Sequence, residues 1–222
     1  RTIKKQPTFA AIAVITLGLG IGANTAIFSV VHTVLLEPTV YPQAAERLLV
    51  LTENSKNWDE ISASYPNFKD WQSQSRSFER LVGCRNDRYN LTGLDEPLHL
   101  RVRLVSHGYF DVMGVPPLHG RFFSPDEDEP GAPGRVVLNN LLWRNRYGGD
   151  PAVLGTAVRL DDATFTIIGV LPPGFEPESR EQAYIPLEPW ADNDGTRNRG
   201  NHQGIRVLGR LRADVSFEEA RL

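Results

Sequence analysis

The residues that most resemble a cofactor site are the closely spaced glycines of LGLGIGANTAIFS, residues 17–29. Gly18, Gly20 and Ala23 fit the spacing G-x-G-x-x-G/A, in which a tight turn after a strand brings a helix N-terminus to a pyrophosphate. The helix of such a unit lies outside a sheet and needs a polar face toward water. Residues 23–36 are mostly apolar, and the nearest acid, Glu37, directly follows the apolar run. The pattern therefore does not predict a dinucleotide site.

Other reactive side chains lack catalytic spacing. The sequence contains no Walker-type G-x-x-x-x-G-K-[ST], no H-E-x-x-H and no G-x-S-x-G motif. Cys84 is predicted to be a packed residue, and the histidines are predicted to make ordinary hydrogen bonds: His32, His99, His107, His119 and His202. The acidic run 126–129 lacks the alternating ligands and the glycine of a calcium loop. Because it follows Ser124 and Pro125, it is typical of a solvated helix start. We expect no catalytic, metal or cofactor-binding residues in this chain.

An uncharged segment of 28 residues, 9–36, is long enough to cross a membrane, which takes about 20 residues. It exceeds the apolar core of a signal peptide. As a helix it would extend roughly 42 Å, so it would tilt or project beyond the bilayer. Arg1, Lys4 and Lys5 in the flank 1–8 predict a cytoplasmic N-terminus.

The chain has net charge −3 and residues 1–36 carry +3, so residues 37–222 carry −6. This acidic balance argues against a nucleic-acid partner.

Small residues form one face of this predicted membrane helix. Gly18, Gly22, Ala26 and Ser29 are spaced four, four and three residues apart, and small-xxx-small faces allow close approach of another helix. We expect this face to pack against other membrane helices. The alternative is a lone anchor whose glycines have no packing role.

The remainder of the chain reads as an α+β domain. Alternation and apolar runs predict strands at 46–53, 82–91, 98–104, 135–139, 157–160, 165–170, 184–187 and 205–212. Helices are predicted from Ser64, at 107–113, at 140–147 and from the capping box that begins at Ser216. Residues 191–204 are predicted to be a loop. Because the chain stops soon after this last cap, we expect it to be a C-terminally truncated piece of a longer protein.

Several motifs in order carry a resemblance that covers almost the whole chain. LGLGIGANTAIFS followed by LLEP, and SYPNFKDWQSQSRSFE at 64–79, come first. NLTG at 90–93, FDVMGVPPLHGRFFSPDED at 110–128, YGGDPAVLG at 147–155 and FTIIGVLPPGF at 165–175 follow. The sequence resembles MacB/FtsX-type ABC transporter permeases, especially the bacterial duplicated orphan group. Glu37 and the link TVYPQAAERL depart from the family pattern, which leaves the geometry after the first helix open.

The resemblance implies an order of parts and a function. A first membrane helix would precede a two-lobed periplasmic core domain at 37–222, built from β-α-β units with a β-rich lobe inserted at about 92–204. Further membrane helices would follow. Such permeases sit in the bacterial inner membrane and contact lipid. They couple ATP hydrolysis by a cytoplasmic ATPase subunit to periplasmic movement for export, or mechanotransmission. They act as a homodimer or pseudo-dimer, in some cases with a periplasmic adaptor. ATP would bind the partner, and this region would hold no catalytic residue.

Two other functions remain open from the residues alone. A single-pass membrane anchor with a periplasmic sensor or binding module would also place a helix before an α+β domain. An anchored periplasmic hydrolase is disfavoured because the common hydrolase motifs are absent.

Overall fold

A computed structural model describes residues 16–22, 24–25, 47–54, 60–93, 97–175 and 180–220. The chain divides into two compact units, 1–38 and 39–222. In the first unit, residues 16–22 are helical and exposed. Within the described ranges, no helix combines the length and apolar character needed to cross a bilayer. Most of the predicted membrane helix at 9–36 lies outside the described residues.

The described part of the second unit is built around one mixed sheet of nine strands. Their bounds are β1 Leu48–Leu51, β2 Phe78–Thr92, β3 Leu98–Val105, β4 His119–Gly120, β5 Arg135–Leu138, β6 Ala157–Leu160, β7 Ala163–Val170, β8 Ala183–Pro186 and β9 Arg206–Leu211. The order across the sheet is β1-β9-β2-β3-β8-β5-β7-β4, and β6 pairs with both β2 and β7. The pairs β3–β8 and β5–β7 are parallel, and the remaining pairs are antiparallel. The predicted mixed α/β class is confirmed.

The longest strand, β2, holds the sheet together because it has different neighbours along its length. Its first part pairs with β9, its second part pairs with β3, and its last residues pair with β6. The sequence predicted this strand from 82 to 91, shorter at both ends. The first residues were missed because Glu79 and Arg80, both exposed, interrupt the apolar pattern there.

Helices cover both faces of the sheet: α1 Tyr65–Gln74, α2 Tyr109–Met113, α3 Asn140–Tyr147, α4 Glu188–Ala191, α5 Asp194–Arg197 and α6 Phe217–Ala220. Short 3₁₀ turns form at Pro125–Glu127 and Pro151–Val153. Phe68 of α1 and Trp143 of α3 pack into a core on one face. Phe110 of α2 centres an aromatic core on the other face, stacked on Phe122 at 4.0 Å and edge-on to Tyr184 at 5.3 Å between ring centroids.

Helix α3 has the bounds that its sequence predicts. The side chain of Asn139 accepts a hydrogen bond from the Leu142 amide at 2.7 Å, which caps the first turn. Gly148 ends the helix with φ +65°, a left-handed conformation that glycine adopts readily. Both signals are local, so the sequence contains all that is needed to place this helix.

A two-residue turn joins β6 to β7, with Leu160 opposite Ala163, so β7 begins two residues before the predicted strand at 165–170. Asp161 in this turn has φ +50°, and its carboxylate accepts from the Asn90 amide and side chain at 2.9 and 2.7 Å. The hairpin is therefore fixed to the end of β2.

The predicted loop at 191–204 is wrong in part, because it contains the end of α4 and all of α5. Asn193 caps α5 by accepting from the Thr196 amide at 3.1 Å. Helices of four residues span barely more than one helical period of 3.6 residues, so no apolar pattern can repeat within them and periodicity does not reveal them.

Candidate functional site: buried charges that join the sheet to its surface elements

Arg103 of β3 lies at the centre of a buried polar network. Its guanidinium donates to Glu181 Oε1 at 2.7 Å, to the Tyr109 hydroxyl at 3.0 Å and to Asn86 Oδ1 at 3.0 Å. Arg103 is only 6% exposed, and Glu181 only 2%. In the alternation of β3, Arg103 falls on the same face as His99 and Arg101, which are exposed, yet Arg103 itself is buried. The aromatic core beside α2 covers this end of the face, so the charge is stabilised by Glu181 rather than by water.

Asp128 joins two loops by accepting backbone hydrogen bonds. Its carboxylate receives the amide of His107 at 2.6 Å and the amides of Leu187 and Glu188 at 3.0 Å each. The segment before α2 is thereby fixed to the start of α4. Burial raises the pKa of Asp128, and the three amide donors only partly offset this effect. The prediction of a solvated acid is wrong at this residue.

Glu188 connects the same region to α1. Its carboxylate accepts from the Tyr65 hydroxyl and from Lys69 Nζ at 3.0 Å. Burial and the nearby Glu188 charge raise the pKa of Tyr65. A polar cleft of about 400 Å³ lies beside these groups and is lined in part by Lys69, His107 and Asp128. α1 is therefore held to α4 by a charged contact and to the sheet by Phe68.

Glu127 also departs from the prediction of a solvated helix start. It is 5% exposed and accepts from Arg121 at 2.6 and 2.7 Å and from Arg135 Nε at 2.8 Å. It completes a capping box with Ser124, and the helix start predicted at Ser124-Pro125 opens a 3₁₀ turn. The hydrogen bonds from Arg121 hold the pKa of Glu127 well below its usual range, against the effect of burial.

Cys84 and the described histidines take structural positions. Cys84 is buried, and burial raises its pKa to about 11. The His119 ring lies edge-on to Trp143 at 5.1 Å, and His202 Nδ1 is 2.7 Å from the Ser62 carbonyl oxygen. Within the described ranges, no three His, Cys, Asp or Glu side chains are grouped closely enough to hold a metal ion.

The residues predicted to pack membrane helices are only partly described. Gly18 and Gly22 lie in the exposed helical residues 16–22, and a side chain built at either would meet no atom within 4 Å. Ala26 and Ser29 lie outside the described residues, as do the predicted orientation residues Arg1, Lys4 and Lys5. Their predicted roles stay predictions.

The buried charges attach surface elements to the sheet. Glu127 and Glu181 bind arginines, Glu188 binds Lys69 and Tyr65, and Asp128 binds backbone amides. Carboxylates held this way are occupied as acceptors, an arrangement suited to fixing loops. Sequence reasoning missed the pair of Arg103 and Glu181 because the two residues are 78 positions apart along the chain.

The model of the MacB-like periplasmic core domain matches residues 10–221. The chain belongs to this family. The MacB-like domain occurs in ABC transporter permeases, so the resemblance of the sequence to that permease family is confirmed. A search of curated proteins gave no match.

Several solved structures are similar to this MacB-like domain. The periplasmic region of MacB from Actinobacillus actinomycetemcomitans shares 15% identity at a TM-score of 0.59, covering 78% of each chain. The extracellular domain of the noncanonic ABC-type transporter YknZ, from Gram-positive bacteria, shares 14% identity at 0.55, covering 78% of this chain and 86% of that one. A domain of a protein assigned as a permease from Porphyromonas gingivalis shares 20% identity at 0.59, covering 78% of each chain. At these identities the likeness establishes the fold.

Proposed function

We propose that this chain is part of a MacB/FtsX-type permease subunit that transmits force between a membrane and the periplasm. ATP hydrolysis by a cytoplasmic partner would drive movement of the MacB-like domain, and the movement would serve export. The family match over residues 10–221 carries this proposal. The similar folds of MacB and YknZ domains, which are periplasmic or extracellular parts of transporters, support it.

In the proposed arrangement, residues 9–36 cross the inner membrane with residues 1–8 in the cytoplasm. The uncharged sequence of that segment and the cations Arg1, Lys4 and Lys5 support this orientation. Gly18, Gly22, Ala26 and Ser29 would then face another membrane helix. Residues 37–222 would form the periplasmic domain, with the second lobe at about 92–204.

The partners are proposals on the same basis. An ABC ATPase subunit would bind ATP, so this chain would need no cofactor of its own. A second permease half would complete a homodimer or pseudo-dimer, and a periplasmic adaptor would join some assemblies. As a transport component, the chain would lack an enzymatic activity of its own.

The buried charges support transmission of force by the domain. Breaking a buried ion pair by moving one partner away leaves a desolvated charge and costs about 3–5 kcal/mol. Arg103–Glu181 and the contacts of Asp128 and Glu188 thus resist relative movement of α1, α2 and the sheet. A domain braced in this way would move as a unit when its membrane attachment moves.

The test uses paired glycine substitutions in the full-length protein in its native membrane. Gly22→Leu places a bulky side chain on the small-residue face, whereas Gly20→Leu places the same side chain about 160° around the helix. We expect Gly22→Leu to reduce recovery of the assembled complex and its ATP hydrolysis several-fold, and Gly20→Leu to leave both near the wild-type level. Equal effects of the two substitutions, or purification of the protein without any ATPase, would contradict the proposal.

A further inference from the structure

Two arginines face each other on an open part of the sheet. Arg88 of β2 is directly opposite Arg101 of β3 in the antiparallel register. Residues in that relation project from the same face with Cβ atoms about 5 Å apart, and like charges there are destabilising. Both side chains are exposed, and both line one cleft of about 390 Å³. The unfavourable contact between these two arginines would be relieved by a bound anion.

The acids in the cleft are already bound to other arginines. Asp87 lies 3.2 Å from Arg85 Nη1, and Glu181 binds Arg103 at 2.7 Å. Arg101 donates from Nε to the carbonyl oxygen of Arg180 at 3.3 Å, a neutral acceptor. Among the described residues, no acid forms an ion pair with Arg88 or Arg101. Within the described part of the chain, the cleft therefore presents two positive charges that form no ion pair with a carboxylate.

We propose that this cleft binds the dianionic phosphate group of a small soluble molecule. Two guanidinium charges match the charge of a phosphate monoester, which is −1.5 to −2 near neutral pH. A phosphoryl group also offers three oxygens, enough to accept forked hydrogen bonds from both arginines, whereas a carboxylate offers two. The proposed ligands of the phosphate are the two exposed arginines. The buried network of Arg103 forms the inner wall of the cleft and is not part of the proposed site. The site does not depend on the transport function proposed above.

The experiment measures inorganic phosphate binding to the full chain in detergent by calorimetry and by thermal unfolding, with sodium chloride at matched ionic strength as reference. We expect phosphate, but not chloride or acetate, to raise the Tm of the wild type. Arg88→Gln and Arg101→Gln should each weaken phosphate binding roughly tenfold or more, the equivalent of one charge-assisted hydrogen bond. The double variant should lose the phosphate response and unfold at a higher temperature than wild type in chloride, because the repulsion is gone.

The matched control is Arg76→Gln with Arg144→Gln, which removes two exposed arginines elsewhere. It should keep the phosphate response. Three results would overturn the proposal: a wild-type Tm that responds equally to phosphate and chloride, an equal response to acetate, or an equal loss in the control. Binding to phosphatidylglycerol vesicles without a response to inorganic phosphate would also overturn it, in favour of a membrane surface. The higher Tm of the double variant in chloride distinguishes loss of binding from loss of folding.

Discussion

Two adjacent acids, Glu127 and Asp128, differ in how the fold holds them. Glu127 is bound by Arg121 and Arg135, and its pKa lies far below the usual range. Asp128 is bound by three backbone amides, and its pKa is raised because burial outweighs those hydrogen bonds. Amide hydrogen bonds also favour the charged form of a carboxylate, but at Asp128 burial and the nearby Glu188 charge outweigh them, whereas at Glu127 the bonds from the arginines outweigh burial. The ion-paired and the amide-bound carboxylates should therefore respond differently to mutation and to pH.

The largest effect is expected for an ion-paired carboxylate. Glu181→Ala would leave the Arg103 guanidinium buried without its counter-charge, which costs about 3–5 kcal/mol. Urea unfolding of the full chain in detergent measures the change. Arg103→Met with Glu181→Leu removes both charges and should be at least 2 kcal/mol more stable than Glu181→Ala, by the same argument. Equal stability of the single and double variants would show that the pair is not coupled.

A smaller effect is expected for the amide-bound carboxylate. Asp128→Ala leaves up to three buried amides without an acceptor, and each such group costs roughly 1–3 kcal/mol before relaxation and solvation reduce the sum. We expect a loss of about 2–3 kcal/mol in urea unfolding, and less than about 1 kcal/mol for Asp128→Asn, which keeps a carbonyl acceptor. A large loss in Asp128→Asn would mean that the negative charge itself is needed, contrary to the comparison.

This contrast could not be read from the sequence, in which both acids belong to one hydrophilic run. Their environments depend on Arg135 and on Leu187, whose positions next to the turn are set by β5 and β8 of the sheet. The burial of Arg103 was hidden in the same way, because its partner Glu181 is remote in sequence. Local signals were sufficient where the structure is local: the bounds of α3, between Asn139 and Gly148, and those of β6 match the prediction, and β7 begins only two residues early. The fold class and most elements were therefore predictable, and the buried charges were not.

The pH dependence of stability should separate the two acids. The folded pKa of Glu127 is lowered, so its contribution is present above the unfolded value of about 4.3 and is lost as the pH falls below it. The folded pKa of Asp128 is raised, so its contribution is present below about 3.9 and is lost as the pH rises through the folded value. Relative to wild type, Glu127→Gln should lose less stability between pH 5 and about 2.5. Asp128→Asn should lose more over the same range, because it lacks a group that gains stability on protonation. Parallel pH profiles for the two variants would refute the assignment.

Chemical labelling of Cys84 is expected to show the smallest effect. It also reports most directly on opening of the interior. The Cys84 thiol is buried and has a pKa of about 11, so at pH 8 only on the order of one molecule in a thousand carries the reactive thiolate. A neutral thiol reagent should label the folded chain slowly and the urea-unfolded chain quickly. Because Arg103 and Glu181 both act on Cys84 from within the same core, Glu181→Ala should speed labelling of the native protein through local opening. Asp128→Asn, which leaves that core intact, should label at the wild-type rate. If both variants label at the same increased rate, the regions around Glu181 and Asp128 open together. The difference between ion-paired and amide-bound carboxylates would then not extend to the dynamics of the domain.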